Sequence, residues 1–166
     1  MSLGSEYALW ALLVIASVTD LIWGKVYNWL TFAFLGLGLL FHLLDDGASG
    51  AGESALGVLT AFILFFPLWR LGAMAAGDVK LLMAVGAWTT PGLVLRIATG
   101  GVVIGALVGL FVMVRQSGLK ESLKSVREHI DARVAPVTSH RMPFAPAFLC
   151  ALFIVKVGEI YQWSWL

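Results

Sequence analysis

The sequence predicts an all-α, polytopic integral membrane protein, on three observations. Hydrophobic residues make up 60% of the 166 residues and charged residues only 13%, with a mean hydropathy of +0.90. Apolar runs of near-bilayer length alternate with short polar or Gly/Pro stretches. The basic residues collect in every second connection. A soluble domain of this size cannot bury so much apolar surface, so lipid must be the solvent for much of it. Only helices fit these runs, because unpaired backbone groups in hydrocarbon are too costly and about six segments cannot close a barrel.

In order, the expected helices cover 7–24, 28–44, 54–71, 78–90, 92–115 and 144–163. No Lys or Arg precedes the first run, and the first basic residue is Lys25. The run therefore lacks the basic start of a cleavable signal peptide and is expected to stay as a helix. The fourth run has about thirteen residues before Pro91, or ~20 Å, short for a ~30 Å hydrocarbon core. Its start, or the stretch 72–77 before it, is expected to sit recessed in the protein. The fifth carries Gly101, Gly105 and Gly109, a small-residue stripe that suits close packing within the chain. The long connection 116–142 places Leu119, Leu123, Val126 and Ile130 at helical spacing among charges. It reads either as an amphipathic helix on the membrane surface or as a solvated loop. Without repeats or low-complexity segments, residues 1–166 read as one domain.

Lys25, Arg70, Lys80, Arg115, Lys120, Lys124, Arg127, Arg133 and Arg141 fall on one side of this topology. Asp45, Asp46 and Glu53 mark the other, with Arg96 and Lys156 inside nearby helices. The positive-inside rule puts the basic side in the cytosol and both termini outside. Trp23, Trp29 and Trp69 then fall at cytosolic helix ends, and Trp10, Trp88, Trp163 and Trp165 at outer ends, as interfacial belts do. A net charge of +1 gives no basic patch for nucleic acid. The single cysteine, Cys150, cannot form an intrachain disulfide or a cysteine-built zinc site. His42 has no cluster of ligands around it, and no metal or cofactor is expected.

Ionisable residues inside apolar runs are costly and hence functional candidates: Asp20, Asp78, Lys80, Arg96, Lys156 and Glu159. Topology separates them. Asp20 lies about one turn from the cytosolic end of the first helix, and Asp78 opens the fourth on the same side. Two carboxylates far apart in sequence are thus expected at one depth on one face. Such a pair can share a proton, one member acting as base toward water and the other donating a hydrogen bond to a carbonyl oxygen. That chemistry hydrolyses a peptide bond without a metal. Gly77 leaves room beside Asp78 for a substrate backbone. Asn28 and Thr31 are placed to hydrogen-bond near the site, with helix capping by Asn28 an equal reading. Lys80 is expected to snorkel to the cytosol or to tune the site. Lys156 and Glu159 are expected to pair or to snorkel.

The residues around the two aspartates carry a resemblance. The stretch Asp20-Leu-Ile-Trp-Gly-Lys-Val-Tyr-Asn28-Trp-Leu-Thr31 resembles the first active-site motif of type IV prepilin peptidases. Gly72-Ala-Met-Ala-Ala-Gly77-Asp78-Val79-Lys80-Leu81-Leu82 is similar to their GxGD signature followed by Val-Lys-Leu, and Met142-Pro143-Phe144-Ala145-Pro146-Ala147 to the opening of their last helix. The resemblance implies a GxGD-type aspartyl protease of the inner membrane of a prokaryote, with Asp20 and Asp78 as the catalytic pair facing the cytosol. It implies a prepilin substrate, cleaved after a glycine and before its hydrophobic helix. Ala75 stands where the first glycine is usual, and Tyr27 where a proline usually precedes Asn28. The first cytosolic link is short and lacks the cysteine-bearing zinc domain of longer members. The chain thus resembles the peptidase-only branch that serves Flp/tight-adherence pili. Two other classes compete: a small proton- or ion-coupled transporter or channel using the same aspartates, and a non-catalytic pilus assembly factor. A presenilin-like protease is a variant within the enzyme class, but its usual Tyr-Asp pair is here Thr19-Asp20.

Overall fold

The computed structural model describes residues 2–72, 74–117 and 144–161. All regular structure among them is helical, in five elements: α1 (Leu3–Trp23), α2 (Asn28–Arg70), α3 (Ala76–Ala87), α4 (Pro91–Ser117) and α5 (Ala145–Ile160). α1, α2 and the stretch Pro91–Val112 are long and apolar enough to cross a membrane. The stretch 119–130, read as an amphipathic helix or a solvated loop, and Trp163 and Trp165 lie outside the described residues.

α1 starts at Ser2, whose hydroxyl accepts the Ser5 N–H, and stops at Gly24 in the left-handed region at φ 61°. One face, Leu9, Leu12, Leu13 and Ala16, is fully buried, while Val14, Ile15, Val18, Leu21 and Ile22 are exposed. An apolar face left open in this way is what lipid-facing helices present.

α2 comprises the two helices expected there, each continued toward the other. It runs through the predicted outer loop at 45–53 and is broken only at Gly47, at φ 66° and ψ −147°. That conformation belongs essentially to glycine. A straight helix would hold Gly38 and Gly57 roughly 28 Å apart, yet both lie against neighbouring residues of α3. A Cβ on Gly38 would sit 2.9 Å from the Ala87 carbonyl oxygen, and one on Gly57 would strike the Gly86 carbonyl. The chain therefore reverses at Gly47, and the two legs of α2 flank α3.

α3 has 12 residues, about 18 Å of helix, and is enclosed. Val79, Leu81, Leu82, Ala84, Val85 and Ala87 are all buried. The tightest seam is backbone on backbone, where a Cβ on Gly86 would lie 2.6 Å from the Gly57 carbonyl carbon. Polar groups close the far end. The Ser54 hydroxyl donates to the Ala87 carbonyl at 2.7 Å, supplying a partner that a helix C-terminus lacks. Trp88 Nε1–H donates to the Phe34 carbonyl at 2.8 Å. Trp88 is 5% exposed and packs against Phe34, Phe41 and His42. It is a core residue, not the interfacial anchor expected from its place at a helix end. Trp23, Trp29 and Trp69 are exposed as expected.

α5 lies between α1 and α4. On the α4 side, Phe144 and Phe148 set their rings against Gly105 and Gly101, so the small-residue stripe packs within the chain. On the α1 side, Lys156 Nζ meets Glu6 at 3.3 Å and Glu159 at 3.0 Å.

These contacts separate glycines that packing requires from one that it does not. Gly57→Ala should lower stability by about 2 kcal/mol or more, because the colliding atoms are backbone. Gly36 has nothing within 4 Å of a built Cβ, and Gly36→Ala should gain about 0.5–1 kcal/mol of helix propensity. Thermal unfolding of the detergent-solubilised variants measures both. Equal midpoints would overturn the close seam at Gly57.

Candidate active site

The first side of the site is the end of α1. Asp20 lies one turn before the stop, and its carbonyl accepts the Gly24 N–H at 2.8 Å. Gly24 turns the chain into a link of three residues that ends at Tyr27, the residue preceding α2. Tyr27 sits at φ −74° and ψ 134°, inside the range a proline ring would impose. The departure from proline therefore leaves the turn's backbone unchanged. Trp23 and Tyr27 brace it with an edge-to-face contact at 6.3 Å between ring centres.

The second side is the start of α3. Ala75 precedes the helix at φ −75° and ψ 150°, ordinary extended backbone that needs no glycine. Asp78 follows in the first turn, 5% exposed. A Cβ on Gly77 would meet Val26 Cβ at 3.6 Å and Val26 O at 3.7 Å, an ordinary contact. The fold would accept alanine at 77, so packing does not explain the glycine there.

Between the two sides lies a cavity of about 390 Å³. It is lined by Asp20 and Asp78, by the turn from Gly24 to Asn28, and by Ala75, Ala76, Gly77 and Lys80. The two aspartates, from separate helices, thus reach one space. The other end of the bundle is marked by Glu6 and Lys156 on α1 and α5, and by Thr90 just beyond α3. The two carboxyls expected on one side line one cavity, away from that end.

The supporting residues take more definite places than expected. Lys80 Nζ donates to Asn28 Oδ1 at 3.0 Å and lies over the Phe32 ring at 5.5 Å. It ties the first turns of α3 and α2 together and lines the cavity that holds Asp78. Asn28 does not cap α2; its side chain serves Lys80, and Tyr27 occupies the cap position without a side-chain bond. The Thr31 hydroxyl turns back to the Asn28 carbonyl at 3.0 Å. Lys156 pairs with Glu159, as the i,i+3 spacing suggests, and also with Glu6. The His42 ring bonds the carbonyl one turn back, at Gly38. Among the described residues, no three His, Cys, Asp or Glu side chains gather as a metal site would need.

One contact of Asp20 leaves no side-chain signature in the sequence. Asp20 Oδ2 accepts the Ala145 N–H at 3.2 Å, at the amino end of α5. The motif around 142–147 marked a helix start, but a backbone donor cannot be told from its neighbours by residue type.

Residues 7–110 match the model of the type IV leader peptidase family. The chain is similar to prepilin peptidase EppA of Methanothermobacter thermautotrophicus, 41% identical over 78 residues, or 42% of this chain. It is also similar to the prepilin leader peptidase/N-methyltransferase of Pectobacterium carotovorum subsp. carotovorum, 32% identical over 114 residues, or 63% of this chain. The chain spans 19% of the length of the first relative and 41% of the second. No solved structure matches it.

The bond from Asp20 to α5 has a consequence for stability apart from chemistry. Asp20→Ala leaves the buried Ala145 N–H without its acceptor and should cost about 1–3 kcal/mol. Asp20→Asn keeps a carbonyl oxygen and should cost less. Unfolding midpoints in one detergent decide this, and the opposite order would remove the bond from the account.

Proposed function

The chain belongs to the type IV leader peptidase family, and on that premise we propose that it is a prepilin leader peptidase with an aspartate dyad, Asp20 and Asp78. The observation that carries this reading is the cavity lined by both carboxyls, brought in by separate helices. A water between them loses its proton to the ionised carboxyl while its oxygen attacks the scissile carbonyl carbon. The protonated carboxyl hydrogen-bonds the carbonyl oxygen as negative charge develops there. Collapse of the tetrahedral species breaks the C–N bond as a proton passes to the leaving nitrogen. No covalent enzyme intermediate is needed, and the two carboxyls act as one titrating unit.

The substrate is an extended stretch beside an apolar helix, approaching from the bilayer. The shape of Gly77 supports this, since the fold does not need a glycine there and a passing backbone does. The short turn from Gly24 to Tyr27 supports a peptidase-only member, of the kind that serves Flp-like pili. The basic connections support six crossings by a single multi-pass domain of a prokaryotic inner membrane, with the dyad facing the cytosol. Membership of the family weighs against the transporter reading, as does the position of the dyad at one end of the bundle; transporter sites lie near the midplane.

Co-expression with a small prepilin carrying a glycine before its apolar segment tests the reading. Wild type should remove the leader, by mass after membrane extraction, with no effect of chelator. Asp20→Asn and Asp78→Asn should each abolish cleavage, by a factor of about 10³ or more, while the protein still inserts. Cleavage retained in either variant would sink the dyad.

A further inference from the structure

We propose that the amino end of α5 positions Asp20 for catalysis, with the Ala145 N–H as the positioning group and Gly101 and Gly105 setting its place. This rests on the dyad reading above and adds a component to it.

Ala145 is fully buried, so its N–H finds no ready solvent in place of the Asp20 carboxylate. α5 opens on Phe144, which has no capping side chain, and Pro146 has no N–H to offer. Among the described residues, Ala145 is the first-turn donor of α5 with an acceptor on another helix, and that acceptor is a carboxylate. Helix amino ends favour such a partner by charge as well as by geometry.

The donor is itself held from two directions. On α4, a Cβ at Gly105 would lie 2.6 Å and 2.7 Å from the Phe144 ring, and one at Gly101 would lie 3.1 Å from Phe148 Cα with a closer contact to its ring. The two notches fix the first turn of α5 along its axis. On α1, the Lys156–Glu6 pair fixes the register of α5 toward its other end. The Ala145 N–H thus arrives at Asp20 from a seated helix. With Oδ2 engaged, the carboxyl cannot swing freely, and Oδ1 is left for the cavity that Asp20 lines. Loss of the bond should leave substrate binding intact and spoil the alignment of the base or acid with water.

The test replaces single amides by esters through nonsense suppression. Lactic acid at position 145 removes that one N–H and keeps the side chain. Leucic acid at position 149 removes a donor from the helix ladder of α5 and serves as the control, since each ester also weakens one helix carbonyl. The 145 ester should lower kcat for leader cleavage about tenfold or more with KM within about twofold. The 149 ester should leave kcat within about twofold of wild type, and the two should unfold at similar temperatures. Equal loss of kcat in both esters, or an unchanged kcat in the 145 ester, would overturn the proposal. Should the 145 ester fail to accumulate, Gly105→Ala takes its place: it pushes on the Phe144 ring and should give the same fall in kcat at constant KM, and an unchanged kcat overturns the proposal equally. Asp20→Asn is measured beside them. Cleavage retained there defeats the dyad reading itself, whereas a dead Asp20→Asn with a fully active 145 ester defeats the positioning role alone.

Discussion

The backbone contact between Gly57 and Gly86 is the constraint on which the architecture depends. α3 has 12 residues, too few to span a ~30 Å hydrocarbon core. A short apolar helix of this kind must be enclosed by protein, because both of its ends carry backbone groups that lipid cannot satisfy. α2 provides the enclosure by reversing at Gly47 and laying a leg on either side. Glycines at 57 and 86 let the second leg come close enough for Ser54 to meet the Ala87 carbonyl, and Gly38 against Ala87 lets the first leg bring the Phe34 carbonyl to Trp88. Asp78 opens the same helix at its other end, so its depth follows from this packing.

Asp20 reaches that depth by a different route. α1 ends where Gly24 takes a left-handed conformation, which leaves Asp20 one turn inside the helix and beside the turn that starts α2. No single element carries the site. One carboxyl is set by a helix stop and the other by a helix start, and Lys80 on Asn28 joins the first turns of α3 and α2. The cavity depends on this convergence of a helix end with a helix beginning.

Much of this was legible in the sequence. Lipid-length runs and the side on which basic residues fall put Asp20 and Asp78 at the same helix ends, because helix rise per residue converts position in a run into position along the bundle, and the two line one cavity. The glycine stripe of the fifth run announced a close seam, and Phe144 and Phe148 occupy it. Other features needed the third dimension. The acidic stretch 45–53 looked like a loop because exposed helical residues are as polar as loop residues; only Gly47 breaks it. Trp88 looked like an interfacial anchor because its place at a helix end does not reveal that α2 folds over it. The Asn28–Lys80 bond joins residues whose partnership no periodicity within one helix can encode. The departures at Ala75 and Tyr27 proved harmless to the backbone, because extended φ and ψ suit alanine and φ −74° suits tyrosine as well as proline.

The pairing of α1 with α5 explains how the carboxyl depth is kept in helices whose outer faces give no grip. Apolar side chains against lipid tails resist sliding weakly, since lipid is as apolar as the neighbours they would leave. A slip of one helical turn moves a side chain about 5.4 Å. Here two polar contacts oppose it, Asp20 on Ala145 at one end and Lys156 on Glu6 at the other. A slip must break both together, and it leaves the Ala145 N–H, buried on α5, without an acceptor. The ion pair far from the cavity and the amide beside it are therefore parts of one device, and the distance between them along α1 makes the register hard to lose.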